Sequence, residues 1–436
     1  MSTADNHTSP APAPPFSQWS WILTLFGTAV GAGILYLPVQ VGLTGLWSLA
    51  FLSVFLFPLM YYSHKNVVTM LLAQPGESDY ANVLASRFGH FFGEGVVIVY
   101  FLTFYVLLFS YLVGLIANLA DFLANTGVTS TNCGGESWLS LLVVACFAVL
   151  YLIGAKVILR VMSAVSFALL ILLFGISTYL IPFWDIMPYI HKPSLFQFTD
   201  DILLVLPILT LSFVFFPALS SMVSAFSASR EANEAKGPQR LDRVVLKTTA
   251  LLLIFVLLFV FSCLLSLSTD AFQEAATTNL NCLALLGAKK GISPVIAEIG
   301  PMIGLAALVT SFMGVFFAVE ESALQLTERF LALVVRQGKS ACPPSRRSKR
   351  FKISVLLALF ISLWILTLFD PSIMDLFGLV ISPLVAIFLF ILPSVVLIRT
   401  HGFTVLRKPS ISLVLLTGIL ILFSFKLGTL LKTLAC

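Results

Sequence analysis

Charge is what this sequence has least of. Only 10% of its 436 residues are Asp, Glu, Lys or Arg, against the ~25% typical of soluble domains. A chain so poor in charge and 59% hydrophobic does not make a water-facing surface. Strand-like alternation is also lacking, which argues against a membrane β-barrel, the other fold that satisfies every backbone group in lipid. The six cysteines form no CxxC or Cys/His cluster, so a metal or redox centre is not indicated. The five histidines (7, 64, 90, 191 and 401) read as tail, loop or span-end residues. No HExxH, paired carboxylates or Ser/His/Asp grouping falls in an apolar stretch, which removes the usual enzyme constellations. The net charge of +5 is distributed as topology demands, so it is not a nucleic-acid footprint.

What is present is a succession of long apolar runs. Each span needs about 20 such residues. Hydropathy and breakers predict eleven spans, at about 20–40, 42–63, 95–124, 137–154, 160–182, 201–226, 248–268, 294–319, 353–369, 372–398 and 410–433. Residues 1–18, rich in Pro, Ala and Ser, lack the basic region and apolar core of a signal peptide and read as a disordered cytoplasmic tail. With the N-terminus inside, 20 of the 25 Lys and Arg fall on the inner side, while Lys192, Lys289, Lys290 and Lys432 stay outside. The positive-inside rule requires such a bias. The run Arg346–Lys352 reads as a topology anchor or a lipid-binding patch.

Two spans carry internal breakers. The first reads Phe26-Gly-Thr-Ala-Val-Gly-Ala-Gly-Ile-Leu-Tyr-Leu-Pro38. Glycine costs about 1 kcal/mol in a helix interior. Gly27-xxx-Gly31 fits a helix-packing face, but a third glycine followed by a proline points to unwinding around Val30–Gly33. The sixth span, Leu206-Pro-Ile-Leu-Thr-Leu-Ser-Phe-Val-Phe-Phe-Pro-Ala-Leu-Ser-Ser221, has Pro217 after hydroxyls able to take up freed backbone groups. Interrupted segments at matching places in two halves point to a transporter site at the midplane.

These residues carry a family resemblance. Gly27-Thr-Ala-Val-Gly-Ala-Gly33 with Pro38, Ser212-Phe213 with Pro217 and Ser220-Ser221, Phe259–Leu267, Ser311-Phe312 with Gly314, and Pro371-Ser-Ile373 with Pro383 occur in that order. The chain resembles the hydroxy and aromatic amino acid permeases, near the bacterial serine and threonine transporters. That family is similar to the LeuT-fold superfamily. The resemblance implies an all-α membrane protein: a tail (1–18), a five-helix repeat (19–200), a second, inverted repeat (201–400), and an extra helix (401–436). It implies an ion-coupled symporter importing a neutral amino acid across the bacterial inner membrane. No enzyme activity and no cofactor are implied.

The resemblance also implies residue roles. Ala29 and the backbone of Gly31, Ala32 and Gly33 meet the substrate's amine and carboxylate; Thr210, Ser212 and Phe215 close the other side. Tyr105 and Tyr111 are candidates to cap the carboxylate, with ordinary bundle packing as the alternative. Gly27, Val30, Ala307, Thr310 and Ser311 match the superfamily's sodium site, with back-bonding of the two hydroxyls to their own helix as the alternative. Two departures stand out. The serine and threonine members place Asn-His-Ser before the span-six proline, where this chain has Val214, Phe215 and Phe216. This favours an apolar or aromatic substrate side chain over serine. Those members also place a lysine before the span-eight Ser-Phe, where this chain has Thr310. Sodium and proton coupling both stay open, as does a bridge between Cys133 and Cys282 in the outer loops. A channel would need repeated carbonyls or a ring of like charge, and neither is seen.

Overall fold

The computed structural model describes residues 16–73, 80–129, 137–153, 155–229, 237–288, 291–337, 349–369 and 371–435. Every regular element among them is helical. Span one is a bent pair, α1 (Gln18–Ala29) and α2 (Ala32–Thr44). There follow α3 (Leu46–Leu72), the short α4 (Tyr80–Phe88), α5 (His90–Asn125), α6 (Ser137–Ile153) and α7 (Ala155–Leu180). Span six is again two pieces, α8 (Leu195–Leu211) and α9 (Leu219–Ser227). The rest is α10 (Gly237–Ser266), the short α11 (Thr269–Thr278), α12 (Pro294–Gln337), α13 (Lys349–Thr367), α14 (Ile373–Thr400) and α15 (Pro409–Ala435).

Among the described residues, nine helices are long and apolar enough to cross a membrane, or ten with the bent pair as one span. The apolar α6, at 17 residues, is shorter than a usual span. Tail and fold meet earlier than residue 18. Phe16 packs edge-on to Phe226, and the Ser17 hydroxyl accepts from the Ser20 amide to cap α1.

Two predicted ends move outward. The run Ser63-His-Lys-Asn66 reads as the close of span two, yet α3 continues to Leu72. Span eight was expected to end at 319; α12 runs on to Gln337, roughly 66 Å at 1.5 Å per residue. Glu320 and Glu321 therefore lie inside a helix rather than at its end. Arg329, further along α12, reaches Glu94 of α5 at 2.6 Å. Lys65 of α3 pairs with Asp242 of α10 at 3.0 Å. Both pairs are partly exposed, where such contacts contribute about 0–1 kcal/mol each.

The two broken spans sit at the centre. In the α8–α9 span 83% of the most apolar stretch is buried, against 33% in α13, which faces outward. α1 packs on α7, α10 and α12, and α2 on α8, α10 and α11. Exposed Val54, Phe55, Leu416 and Phe423 form part of the outer apolar face that lipid solvates. α14 is π-helical at Leu376–Ile381 and again at Ile387–Ile391, which frees it from a regular ladder twice within one span.

Candidate functional site

The helix of span one ends at Ala29 and resumes at Ala32, with a 44° change of axis. Val30 is extended and its amide still donates to Phe26 O, closing α1. The carbonyls at the end of α1 and the first amides of α2 thus lie outside a continuous ladder. Span six breaks after Leu211. Ser212 and Phe213 form a turn, Val214 and Phe215 leave the helix, and a 3-10 turn over Phe216–Ala218 leads into α9. Pro217 sits in that turn, where its missing N–H removes no needed bond.

The two breaks touch through their backbones. A Cβ on Gly33 would stand 2.8 Å from Ser212 Cα and 3.0 Å from Ser212 N. The Ser212 hydroxyl lies 2.7 Å from Gly33 O and 2.8 Å from Ile208 O. Gly33 is therefore glycine because backbone meets backbone there. Thr210, one residue before the end of α8, is buried and donates to Leu206 O.

A second cluster of oxygens forms where α12 passes the first break. Ser311 Oγ donates to Val30 O at 3.1 Å. Thr310 Oγ1 donates to Ala307 O at 2.9 Å, the back-bonding alternative for that residue. A Cβ on Gly31 would fall 1.7 Å from Ser311 Oγ and 3.6 Å from Ala307 O. The chain thus gathers Val30, Gly31, Ala307, Thr310 and Ser311 around one point. Both hydroxyls keep lone pairs when they donate, so the donor set is all oxygen and fits a hard monovalent cation. The Cα of Gly27 packs on α7, where a Cβ would meet Ser166 Oγ at 1.8 Å, a contact separate from the Gly27 carbonyl that is the expected ligand. The Ser166 hydroxyl is buried and unpartnered among the described residues.

The tyrosines divide. Tyr111 is buried, and its hydroxyl makes no hydrogen bond among the described residues. Tyr105 turns away from the breaks. It donates to Ser362 of α13 at 2.6 Å and lines a groove of about 690 Å³ between α5, α12 and α13. The Phe215 ring is fully buried and lies flat on the His64 imidazole, centroids 3.7 Å apart. His64 itself is a residue that the sequence placed at a span end; it is fully buried within α3. A polar Ser-His-Lys-Asn run in an apolar helix was the available signal.

Two further clusters adjoin the breaks. On one side, Tyr36 of α2 donates to Asn279 O at 2.6 Å and accepts from Asn118 of α5 at 3.2 Å. The Asn281 amide donates to Asn118 Oδ1, and Cys282 N donates to Leu35 O. Asn279 also ties the start of α14, donating to Pro371 O and accepting from Ile373 N. On the other side, Tyr80, Tyr100, Phe104, Phe216 and Phe388 pack ring against ring. The Tyr80 hydroxyl donates to Phe388 O, in the second π-helical stretch of α14. Cys282 is a free, buried thiol, while Cys133 lies outside the described residues. Ala32 is the first residue of α2.

The model of the tryptophan/tyrosine permease family matches residues 17–399 of this chain. The serine transporter SdaC of Escherichia coli (strain K12) is 27% identical over 383 residues, covering 86% of this chain and 85% of that protein. The threonine/serine transporter TdcC of Edwardsiella piscicida is 27% identical over 391 residues, 86% of each. The inner membrane transport protein YqeG of Escherichia coli (strain K12) is 27% identical over 382 residues, covering 86% of this chain and 89% of that protein.

Proposed function

The chain belongs to the tryptophan/tyrosine permease family, and on that premise we propose that it is an ion-coupled symporter importing a neutral amino acid through the two broken spans. Amino acid transport by a multi-pass membrane protein follows from the family and its relatives. The finer reading is carried by one observation: the backbones of the two breaks meet at Gly33 and Ser212.

An amino acid zwitterion matches what those breaks offer. The N-terminus of α2 presents unladdered amides at the positive end of a helix dipole, which suits a carboxylate. The C-terminal ends of α1 and α8 present carbonyls, which suit an ammonium. Ala29, Gly31–Gly33, Thr210 and Ser212 are the residues assigned to that binding, with Tyr111 as the candidate cap for the carboxylate. Tyr105, drawn to Ser362, is not assigned a part. Val214, Phe215 and Phe216 favour an apolar or aromatic side chain, because a site without hydroxyl partners cannot select for serine. We assign coupling to a cation held by Gly27, Val30, Ala307, Thr310 and Ser311, whose all-oxygen set suits sodium better than a proton. The helices fall into two inverted five-helix halves with α15 outside them, and transport proceeds by alternating access.

Reconstituted protein tests all of this. Labelled phenylalanine, tryptophan, leucine and serine are offered to vesicles with sodium and pH gradients varied separately. Concentrative uptake driven by sodium, with serine the weakest competitor, is expected. Uptake indifferent to sodium but driven by a proton gradient would transfer the coupling to protons. Competition by serine alone would show that the three apolar side chains do not face the substrate. Gradient-independent leakage would defeat symport.

A further inference from the structure

Helix α3 carries a fully buried histidine that neither the dipole argument nor the oxygen cluster uses. His64 Nδ1 lies 2.8 Å from Met60 O and 3.3 Å from Ser63 Oγ. Its Nε2 lies 3.2 Å from the Phe215 amide, at the span-six break. A carbonyl can only accept and an amide can only donate. The two contacts together therefore set the imidazole as the neutral tautomer with its proton on Nδ1.

The same imidazole lies parallel to the Phe215 ring, at 3.7 Å and 16°. One side chain thus holds both the backbone and the side chain of Phe215. Elsewhere in the break the amides are satisfied locally: Ser212 by Ile208 O, Phe213 by Thr210 O, Val214 by Leu211 O. Phe215 is the residue whose amide is handed to another span. In a fully buried segment an unpaired amide is costly, so the path of residues 213–216 depends on an acceptor at that spot. The flanking side chains then follow. With Phe215 clamped to α3, Phe216 turns to Tyr80 and Phe104.

We propose that His64 is the positioning residue that fixes the conformation of the span-six break, and through it the side-chain preference of the transporter. This rests on reading that break as the substrate site. The acceptor and the stack are separable. His64→Leu removes both, His64→Gln keeps an acceptor, and Phe215→Leu keeps the amide bond while removing the stack.

The test measures half-saturation, maximal rate and competitor ranking per copy at the membrane, using labelled phenylalanine against unlabelled leucine and serine. His64→Leu should raise half-saturation roughly tenfold, the worth of one buried hydrogen bond, and flatten the competitor ranking. His64→Gln should recover most of the affinity. A double-mutant cycle of His64→Leu with Phe215→Leu should be strongly non-additive, since both act on one contact. Unchanged half-saturation and ranking in His64→Leu overturns the proposal, as does His64→Gln behaving no better. If His64→Leu fails to reach the membrane, the cycle is run with His64→Gln, and strict additivity counts against the proposal. A thiol placed at Val214 gives a readout without substrate. Its alkylation should be faster in His64→Leu than in His64→Gln, and equal rates overturn the assignment. A wild-type protein that takes up no amino acid defeats the substrate-site reading, while the Val214 thiol still judges His64.

Discussion

Replacing Gly33 by alanine probes the contact between the two breaks directly. The added Cβ would stand 2.8 Å from Ser212 Cα, 3.0 Å from Ser212 N and 3.1 Å from the Leu211 carbonyl carbon. Carbon atoms rest at about 3.5–4.0 Å, so α2 and the end of α8 must separate by roughly 0.7 Å or more. The obstacle is backbone, which cannot swing aside as a side chain could. The Ser212–Gly33 hydrogen bond, now 2.7 Å, would then stretch past useful length. Losing it costs about 1 kcal/mol, and overpacking adds about 1–3 kcal/mol. A total of about 2–4 kcal/mol on the closed arrangement corresponds to roughly 30- to 1,000-fold in the population able to transport.

The assay is the initial uptake rate per copy in the membrane, with thermal stability and yield measured alongside. Gly33→Ala should lose most uptake at near-normal yield, and Gly33→Val should lose all of it. Gly175 in α7 is the control, because a Cβ there meets nothing within 4 Å. Gly175→Ala should transport normally and gain slightly in helix stability. Uptake by Gly33→Ala within about threefold of wild type would refute the backbone-contact reasoning. Loss of uptake in strict proportion to loss of protein would make Gly33 a packing glycine.

Thr310→Ala removes one oxygen from the cluster at the first break. It should raise the sodium concentration for half-maximal uptake by roughly tenfold and leave the pH response unchanged; an unchanged sodium response excludes Thr310 as a ligand. Tyr36→Phe removes the donor to Asn279 O and should favour opening of that side by about 1–2 kcal/mol, read as faster alkylation of Cys282. In the wild type Cys282 should resist alkylation until denaturation, because burial and the neighbouring Cys263 thiol push its pKa well above the usual thiol value. Less thiolate at neutral pH means slower reaction, and a mobility shift on reduction would show it bridged instead. Impermeant reagent applied outside intact cells should reach a cysteine at exposed Lys192 but not one at exposed Lys408; the reverse would invert the orientation.

The breaks were legible because their causes are local. Three glycines in seven residues and a proline after a hydroxyl are chain properties that no neighbour can hide. The meeting of Ser311 with Val30 could be expected only through resemblance, since 281 residues separate them. His64 was missed for a physical reason. A polar run in an apolar sequence reads as a helix end when solvation is assumed, whereas here Met60 O and the Phe215 amide supply both partners inside the bundle. Tyr105, a candidate cap alongside Tyr111, is six residues from it on α5 and so lies on a different face, where it donates to Ser362. The network of Tyr36, Asn118, Asn279 and Asn281 left no sequence pattern, because it joins α2, α5 and a loop far apart in the chain.

What the breaks exchange for side-chain charge explains why so uncharged a protein can recognise a zwitterion. Among the described residues the one buried carboxylate is Asp200, in the second turn of α8. It stands twelve residues from Ser212, roughly 18 Å along the helix, so it cannot neutralise a ligand at the break. A fixed lysine or aspartate there would pay full desolvation whenever the site stood empty. Helix ends avoid that cost, since their partial charges are small and their groups can be shared with hydroxyls. Ser311 and Ser212 do this sharing now, each donating to a carbonyl of span one. On the proposed reading, an arriving ammonium or cation takes the lone pairs of those carbonyls while the hydroxyls turn their own oxygens inward. The empty site then needs no buried side-chain charge of its own, because the serine hydroxyls satisfy its carbonyls, and the broken helices stand without ligand in a low-dielectric bundle.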